Sequence, residues 1–183
     1  SCAANVPQPP ECMNPHAIPT VVLARAESVA DAIALLDTMV APRWGANYAL
    51  VDSGGDAAIV EKAGAHQGVR RAEHGRLWCT NHSVTDEMAP FAITDRDKLA
   101  ESRDRFDAIG RLSAEGGPGA EQTRRVLSHT DRPGAICRYA SDDPLGCQTE
   151  WAFIASPRRG TLEVCFSHPD RDPWHEFTLR GRR

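Results

Sequence analysis

The sequence lacks long apolar runs, is poor in aromatic residues and has no excess of positive charge. No stretch approaches the roughly 18 consecutive apolar residues that a transmembrane helix needs, so we expect no membrane contact. The net charge of -4 argues against a nucleic-acid binder, because phosphate contacts require many lysines and arginines. The arginines at 180, 182 and 183 are interpreted as a solvated terminus.

Several signatures of known chemistry are missing as well. The chain has no G-x-S-x-G elbow, no phosphate-binding P-loop and no dinucleotide fingerprint. Cys79 and His82 form a Cys-x-x-His pair, but a zinc site needs further ligands at short spacing, so we expect neither metal nor cofactor. The six cysteines lie in a chain longer and more apolar than disulfide-stapled domains, which favours a reduced, cytoplasmic protein.

The length of 183 residues predicts one domain over 1–183. Apolar spacing predicts the order helix, four strands, two helices, four strands, which indicates an α+β fold with antiparallel sheets covered by helices. A proline-rich connection over 7–19 and a loop over 83–94 are expected to be non-helical. The predicted strands are 1–6 at the start, 48–51, 57–61, 68–72 and 76–80 before the long helix, and 135–139, 150–155, 161–166 and 176–179 after it. The predicted helices follow the N-cap Ser28, cover 95–114, and start near Pro118.

Asn81 follows the apolar run of Leu77 to Thr80, at the end of a predicted strand. An asparagine there is often a turn residue. The alternative is an amide N–H donor that stabilises a developing oxyanion, which is worth about 3 kcal/mol when preorganised. Spacing alone leaves both interpretations open.

On a helical wheel, Arg105 lies between Ile109 and Leu112, within the apolar face of the predicted long helix. Ser102 lies on the same face one turn earlier, and Arg103 lies nearer the polar edge. An arginine within an apolar stripe needs a partner, because a buried unpaired charge is costly. It is therefore either a structural ion-pair member or a fixed positive charge that lines a site.

Six segments in order carry a family resemblance across nearly the whole chain. They are residues 1–6, 18–25, the hairpin of 47–61, Thr80-Asn81-His82, the S-x-x-R segment of 102–105, and Ala135-Ile136-Cys137-Arg138. The chain resembles the C-terminal half of the acyl-coenzyme A:6-aminopenicillanic-acid acyltransferases, which are N-terminal-nucleophile hydrolases.

The resemblance implies an αββα sandwich whose nucleophile is a cysteine exposed as a new N-terminus by self-cleavage. It implies that Asn81 is the oxyanion donor and that Arg105 is a site arginine, as the two catalytic positions. The remaining motif residues are assigned to substrate binding: Asn47, Thr80, His82, Ser102 and Arg103.

The nucleophilic cysteine of the family lies upstream of the region that matches Ser1, and Cys2 aligns with a strand residue. We therefore expect a partner chain or N-terminal half that carries the cysteine, and a small acyl-amide or thioester substrate. Formation of a homo-oligomer is left open. The chain starts at Ser1, which fits a processed subunit or a fragment. The alternative function is a non-catalytic remnant that binds a partner or ligand.

Overall fold

The structure, a computed structural model, describes residues 12–178. It contains four α-helices, α1 Ile18–Arg25, α2 Val29–Asp37, α3 Arg96–Ala114 and α4 Ala120–Leu127, and a 3₁₀ helix over Asp86–Phe91. The strands are β1 Ala46–Val51, β2 Ala57–Ala63, β3 His66–Arg71, β4 Ala152–Ser156, β5 Thr161–Cys165 and β6 Trp174–Thr178. Two antiparallel three-stranded sheets with order β1-β2-β3 and β4-β5-β6 confirm the α+β class. No helix in the described range is long and apolar enough to cross a bilayer.

The chain divides into two compact units, with the boundary between Leu99 and Ala100 inside α3. In the first unit, α1 and α2 pack on one face of the first sheet. Their buried core combines apolar side chains of both helices with Val60 of β2 and the partly buried Tyr48 and Leu50 of β1. Ser28 caps α2, and its side chain accepts a hydrogen bond from the Asp31 N–H at 3.1 Å, as the sequence predicted.

The second unit contains most of α3, α4 and the second sheet. Ala152 and Ile154 of β4 are buried, whereas Phe153 between them is exposed, so the sheet has one covered and one exposed face. Glu163 of β5 lies on the covered side and pairs with Arg124 of α4. The single-domain assignment stays a prediction.

Two predicted strands are wrong. Residues 76–80 contribute only the isolated bridge between Glu73 and Arg76, and residues 135–139 form no strand. Their backbone groups bond elsewhere: the N–H groups of Ile136 and Cys137 both donate to the His129 carbonyl, at 2.8 and 2.9 Å. Apolar runs in these segments reflect burial rather than membership of a sheet.

Two predicted irregular segments contain helix. α1 starts at Ile18 inside the proline-rich connection, because Pro19 occupies the first turn, where a missing N–H has no cost. A 3₁₀ helix interrupts the predicted loop of 83–94. The predicted strand at 1–6, part of the proline-rich connection, Leu179 and the terminal arginines lie outside the described residues.

Candidate functional site

A polar row crosses one face of the first sheet. Asn47 of β1 is the cross-strand partner of Glu61 of β2, and Glu61 is the partner of Gly68 of β3. Cross-strand partners project from the same face. This row therefore lies opposite the face of Tyr48 and Val60 that packs on the helices.

Glu61 is the centre of the row and is 0 % exposed. Its Oε2 accepts hydrogen bonds from the Val84 N–H at 2.9 Å and from both the N–H and the hydroxyl of Thr85 at 3.0 Å. Its Oε1 accepts from Arg70 Nε at 2.9 Å, and Arg70 Nη2 donates to the Trp78 carbonyl at 2.9 Å. Glu61 and Arg70 thus hold the backbone by hydrogen bonds on both sides of residues 79–83.

Asn47 holds the middle of the same segment. Its Nδ2 donates to the Thr80 carbonyl at 2.7 Å and to the His82 carbonyl at 3.1 Å. The Thr80 hydroxyl and His82 Nδ1 lie 3.1 Å apart and bracket Asn81 from both sides. We call residues 78–85, with these contacts, the clamped loop.

Asn81 is exposed at the apex of the clamped loop. The carbonyls on both sides of it are bonded to Asn47, so the backbone that carries the Asn81 side chain is fixed before a ligand arrives. Such a held amide can donate to an oxygen that gains negative charge. Thr80 and His82 are half-buried and contribute carbonyls to the clamp, and Asn47 supports the loop from beneath.

Cys79 in the clamped loop is not arranged as a nucleophile. Burial, and secondarily Glu61, raise the pKa of its thiol, while Arg70 partly opposes the rise. A protonated thiol is a poor nucleophile and a poor metal ligand. In the part of the chain that the structure describes, no group of three or more His, Cys, Asp or Glu side chains is arranged for a metal ion.

The second unit holds a cluster of charges around Arg105 of α3. Asp143 Oδ2 accepts from Arg138 Nε and from Arg132 Nη2, the latter at 3.0 Å. Asp143 Oδ1 accepts from two backbone N–H groups, of Leu145 at 2.8 Å and Cys147 at 3.2 Å. The Asp143 carboxylate is therefore saturated with donors.

Glu101 completes this arginine cluster. Its Oε1 lies 3.2 Å from Arg138 Nη2 and 4.0 Å from Arg132 Nη1. Three guanidinium groups (Arg105, Arg132 and Arg138) and two carboxylates (Glu101 and Asp143) thus interact in one cluster. Guanidinium groups in such a cluster can attract an anionic ligand or a developing negative charge.

The pKa values of the cluster follow from these contacts. Burial, and then the Arg138 guanidinium, lower the pKa of Arg105, while Glu101 and Asp143 oppose them. Burial alone would raise the pKa of Asp143, but the hydrogen bonds from Arg138, Arg132 and two backbone amides hold it well below its usual range. Burial would likewise lower the pKa of Arg138, but the bond to Asp143 raises it overall.

The other predicted residues of α3 have contrasting positions. Ser102 is 0 % exposed, one turn before Arg105, whereas Arg103 is exposed. Asn81 belongs to the first unit and Arg105 to the second. The catalytic and substrate-binding roles of all seven residues stay predictions.

Sequence reasoning did not identify the residues that organise either part. Glu61 stands in the apolar strand Ala57–Ala63, and Arg138 follows the buried Cys137, so each is a charged residue next to a buried one. That pattern signals a charge that must be paired. It could have singled out both residues before their partners were known.

Cys137 is also held protonated. Its thiol lies 3.1 Å from Asp170 Oδ1, and Asp170 also accepts from the Tyr139 hydroxyl at 2.8 and 2.9 Å. Burial, and then the hydrogen bond to Asp170, raise the pKa of Cys137 to about 12. This thiol is a donor within a packed cluster rather than a thiolate.

In a comparison with protein families, residues 6–171 of this chain match a family model. The matching family is described as acyl-coenzyme A:6-aminopenicillanic acid acyl-transferase. No curated protein matches the chain.

Proposed function

The chain belongs to the acyl-coenzyme A:6-aminopenicillanic acid acyl-transferase family, and from that premise we propose that it is part of a cysteine-dependent amide hydrolase or acyltransferase. The family match covers both the clamped loop and the arginine cluster. We propose that the nucleophilic cysteine comes from an N-terminal part outside this sequence. The raised pKa values of the Cys79 and Cys137 thiols support this, because neither is poised to attack a carbonyl.

The proposed reaction proceeds through a covalent acyl-enzyme. The cysteine thiolate attacks the carbonyl carbon of a linear amide or a thioester, and a C–S bond forms while the carbonyl oxygen becomes an oxyanion. The oxyanion collapses and the bond to the leaving group breaks. The amine of an amide, or the thiol of a thioester, leaves with the proton that the free α-amine first accepted from the cysteine thiol. Water then releases the acid, or an acceptor amine takes the acyl group.

Asn81 is proposed to donate its side-chain N–H to that oxyanion. The observation that carries this assignment is the clamped loop: Asn81 is exposed, and the carbonyls on both sides of it are bonded to Asn47. A donor that is fixed before the substrate arrives needs no reorganisation when charge develops. Arg105, as one of the guanidinium groups of its cluster, is proposed to attract or orient the substrate.

The αββα sandwich of an N-terminal-nucleophile hydrolase is the proposed architecture. On the β5–β6 side of the second sheet, Phe177 is 46 % exposed and Phe166, just after β5, is 65 % exposed. Large exposed apolar side chains on one sheet face suit packing against a further layer. This chain would then be the C-terminal part of the sandwich.

The test compares this chain with a polypeptide that also includes any segment that the coding sequence specifies upstream of Ser1. Acyl-amide and acyl-thioester hydrolysis should be absent from the chain alone and present when an upstream segment with a Gly-Cys-Thr sequence is included. Activity of the chain alone that is lost on blocking its terminal amine would instead assign the nucleophile to Ser1 or Cys2. The lack of activity in both forms would favour the non-catalytic alternative.

In the active form, Asn81→Ala should lower kcat by about a hundredfold or more, with KM little changed, because the bond to the oxyanion forms only in the transition state. Circular dichroism verifies that the variant is folded. A loss below about threefold would refute the oxyanion assignment.

A further inference from the structure

The second unit contains an open pocket whose lining residues differ from those of the arginine cluster and include no arginine. It has a volume of about 410 Å³, within the range of small-molecule sites. Most of its wall is apolar, formed by Leu127, Ile136, Trp151, Ala152, Phe153 and Pro169. The Trp151 and Phe153 rings stack with centroids 5.3 Å apart, and they are 58 % and 51 % exposed. The pocket therefore offers a broad aromatic surface to a ligand.

Glu150 gives this pocket a negative charge. Gln148 Nε2 donates to Glu150 Oε1 at 2.8 Å, and both residues line the pocket. None of the nine lining residues is a lysine, arginine or histidine. Among the described residues, Glu150 forms no ion pair, so its charge is available to a ligand.

The arginines that adjoin the pocket in the chain are occupied elsewhere. The Arg138 backbone N–H donates to Thr149 Oγ1 at 3.0 Å, and the Thr149 backbone N–H donates to the Arg138 carbonyl at 2.9 Å. Its guanidinium, however, pairs with Asp143 and Glu101. Arg124 and Arg125 on α4 pair with Glu163 and Glu115, and Arg171 Nε lies 3.8 Å from Asp172 Oδ2. No adjoining guanidinium is therefore positioned by these contacts to neutralise Glu150.

We propose that this pocket binds a hydrophobic organic cation, an aromatic or alkyl group that carries an ammonium. The electron-rich face of an exposed tryptophan attracts a cation, and a carboxylate beside it adds Coulomb attraction. The apolar wall receives the hydrophobic group, while the openness of the pocket keeps the ammonium partly hydrated. A hydrophobic anion is disfavoured by Glu150. The proposal concerns binding alone and does not depend on the proposed enzymatic function.

The test is a titration of the isotope-labelled chain with three ligands of similar shape: phenethylammonium, 2-phenylethanol and 3-phenylpropionate. The readout is the nuclear magnetic resonance signal of the Trp151 indole N–H, which Trp151→Leu identifies among the four tryptophans. Phenethylammonium should bind about fivefold more tightly than the alcohol, and the anion should bind most weakly.

Glu150→Gln should reduce the preference for the cation to less than about twofold and leave the affinity for the alcohol unchanged. Trp151→Leu should weaken both ligands, and because the indole signal is absent from this variant, the readout there is the backbone N–H signal of Ala152, which also lines the pocket. The matched controls are Glu87→Gln and Trp44→Leu, which change exposed residues of the first unit and should alter neither affinity. Equal affinities for cation and alcohol, no response of the Trp151 signal at 100 mM ligand, or the same effect from Glu87→Gln would each overturn the proposal.

Discussion

The Glu61–Arg70 pair should determine the stability of the clamped loop, and Glu61→Gln tests this. Glutamine keeps the shape of the side chain but removes the negative charge. Arg70 then loses its carboxylate partner, and three donors from Val84 and Thr85 meet an amide that can accept at only one atom. The perturbation is therefore confined to a single buried charge and its four hydrogen bonds.

The magnitude follows from the burial of the pair. Removing one partner of a buried ion pair costs about 3 to 5 kcal/mol. The side chain of Glu61 is 0 % exposed and that of Arg70 is 19 % exposed, so water can partly replace the lost contact of Arg70. We therefore expect a loss near the lower end, about 3 kcal/mol in the free energy of unfolding.

Urea denaturation followed by circular dichroism measures this loss. Amide hydrogen exchange gives the local effect, since the N–H groups of Val84 and Thr85 should exchange faster when Glu61 no longer accepts from them. The matched control is Asp56→Asn, because Asp56 and Arg71 pair at 2.7 Å near the same strands with side chains about half exposed. It should cost less than about 1 kcal/mol. Equal losses in the two variants, or unchanged exchange in Glu61→Gln, would refute the role of the buried pair.

Two further predictions address the loop and the arginine cluster. A Cβ on Gly68 would lie 2.8 Å from Thr85 Cβ, so Gly68→Ala should displace Thr85 and lower the free energy of unfolding by about 1 to 3 kcal/mol. The control is Gly117→Ala, which should be nearly neutral because a Cβ there would have no atom within 4 Å. Equal losses in the two variants would contradict the argument. Asp143 has a lowered pKa in the folded state. Its ionised carboxylate therefore stabilises the folded state above the unfolded-state pKa of about 3.9, and this contribution is lost as the pH falls below that value. Asp143→Asn should therefore cost about 3 kcal/mol near pH 7 and progressively less between pH 4 and pH 2 in urea denaturation, whereas a pH-independent difference would contradict the ion-pair explanation.

The elements that could be predicted from sequence are those with strong local signals. Ser28 and Asp31 predicted the start of α2, and the Ser53-Gly54-Gly55-Asp56 turn predicted the β1–β2 hairpin. The length and apolar face of α3 predicted nearly its whole extent. In each case the residues that determine the element lie within it.

The errors occur where distant residues determine the backbone. Residues 76–80 were predicted as a strand because Leu77, Trp78 and Cys79 are apolar. Their backbone is instead held by Arg70 and Asn47, up to 33 positions away. The same holds for the charge around Arg105: the apolar stripe indicated that it needs partners, but Asp143 and Arg138 come from a later irregular segment. Periodicity carries no information about such contacts.

The polar row of the first sheet explains why the clamped loop is irregular. A partly buried amide and a buried carboxylate side by side on a sheet face would be costly without partners. A regular strand over residues 78–82 would direct its carbonyls to a neighbouring strand and leave Asn47 and Arg70 without these acceptors. The irregular path instead satisfies both side chains, and it turns Asn81 outward because Thr80 and His82 are held on either side. The energy that pairs the buried polar groups therefore also fixes the backbone that presents Asn81, so the geometry of the proposed oxyanion donor should be as stable as the sheet itself.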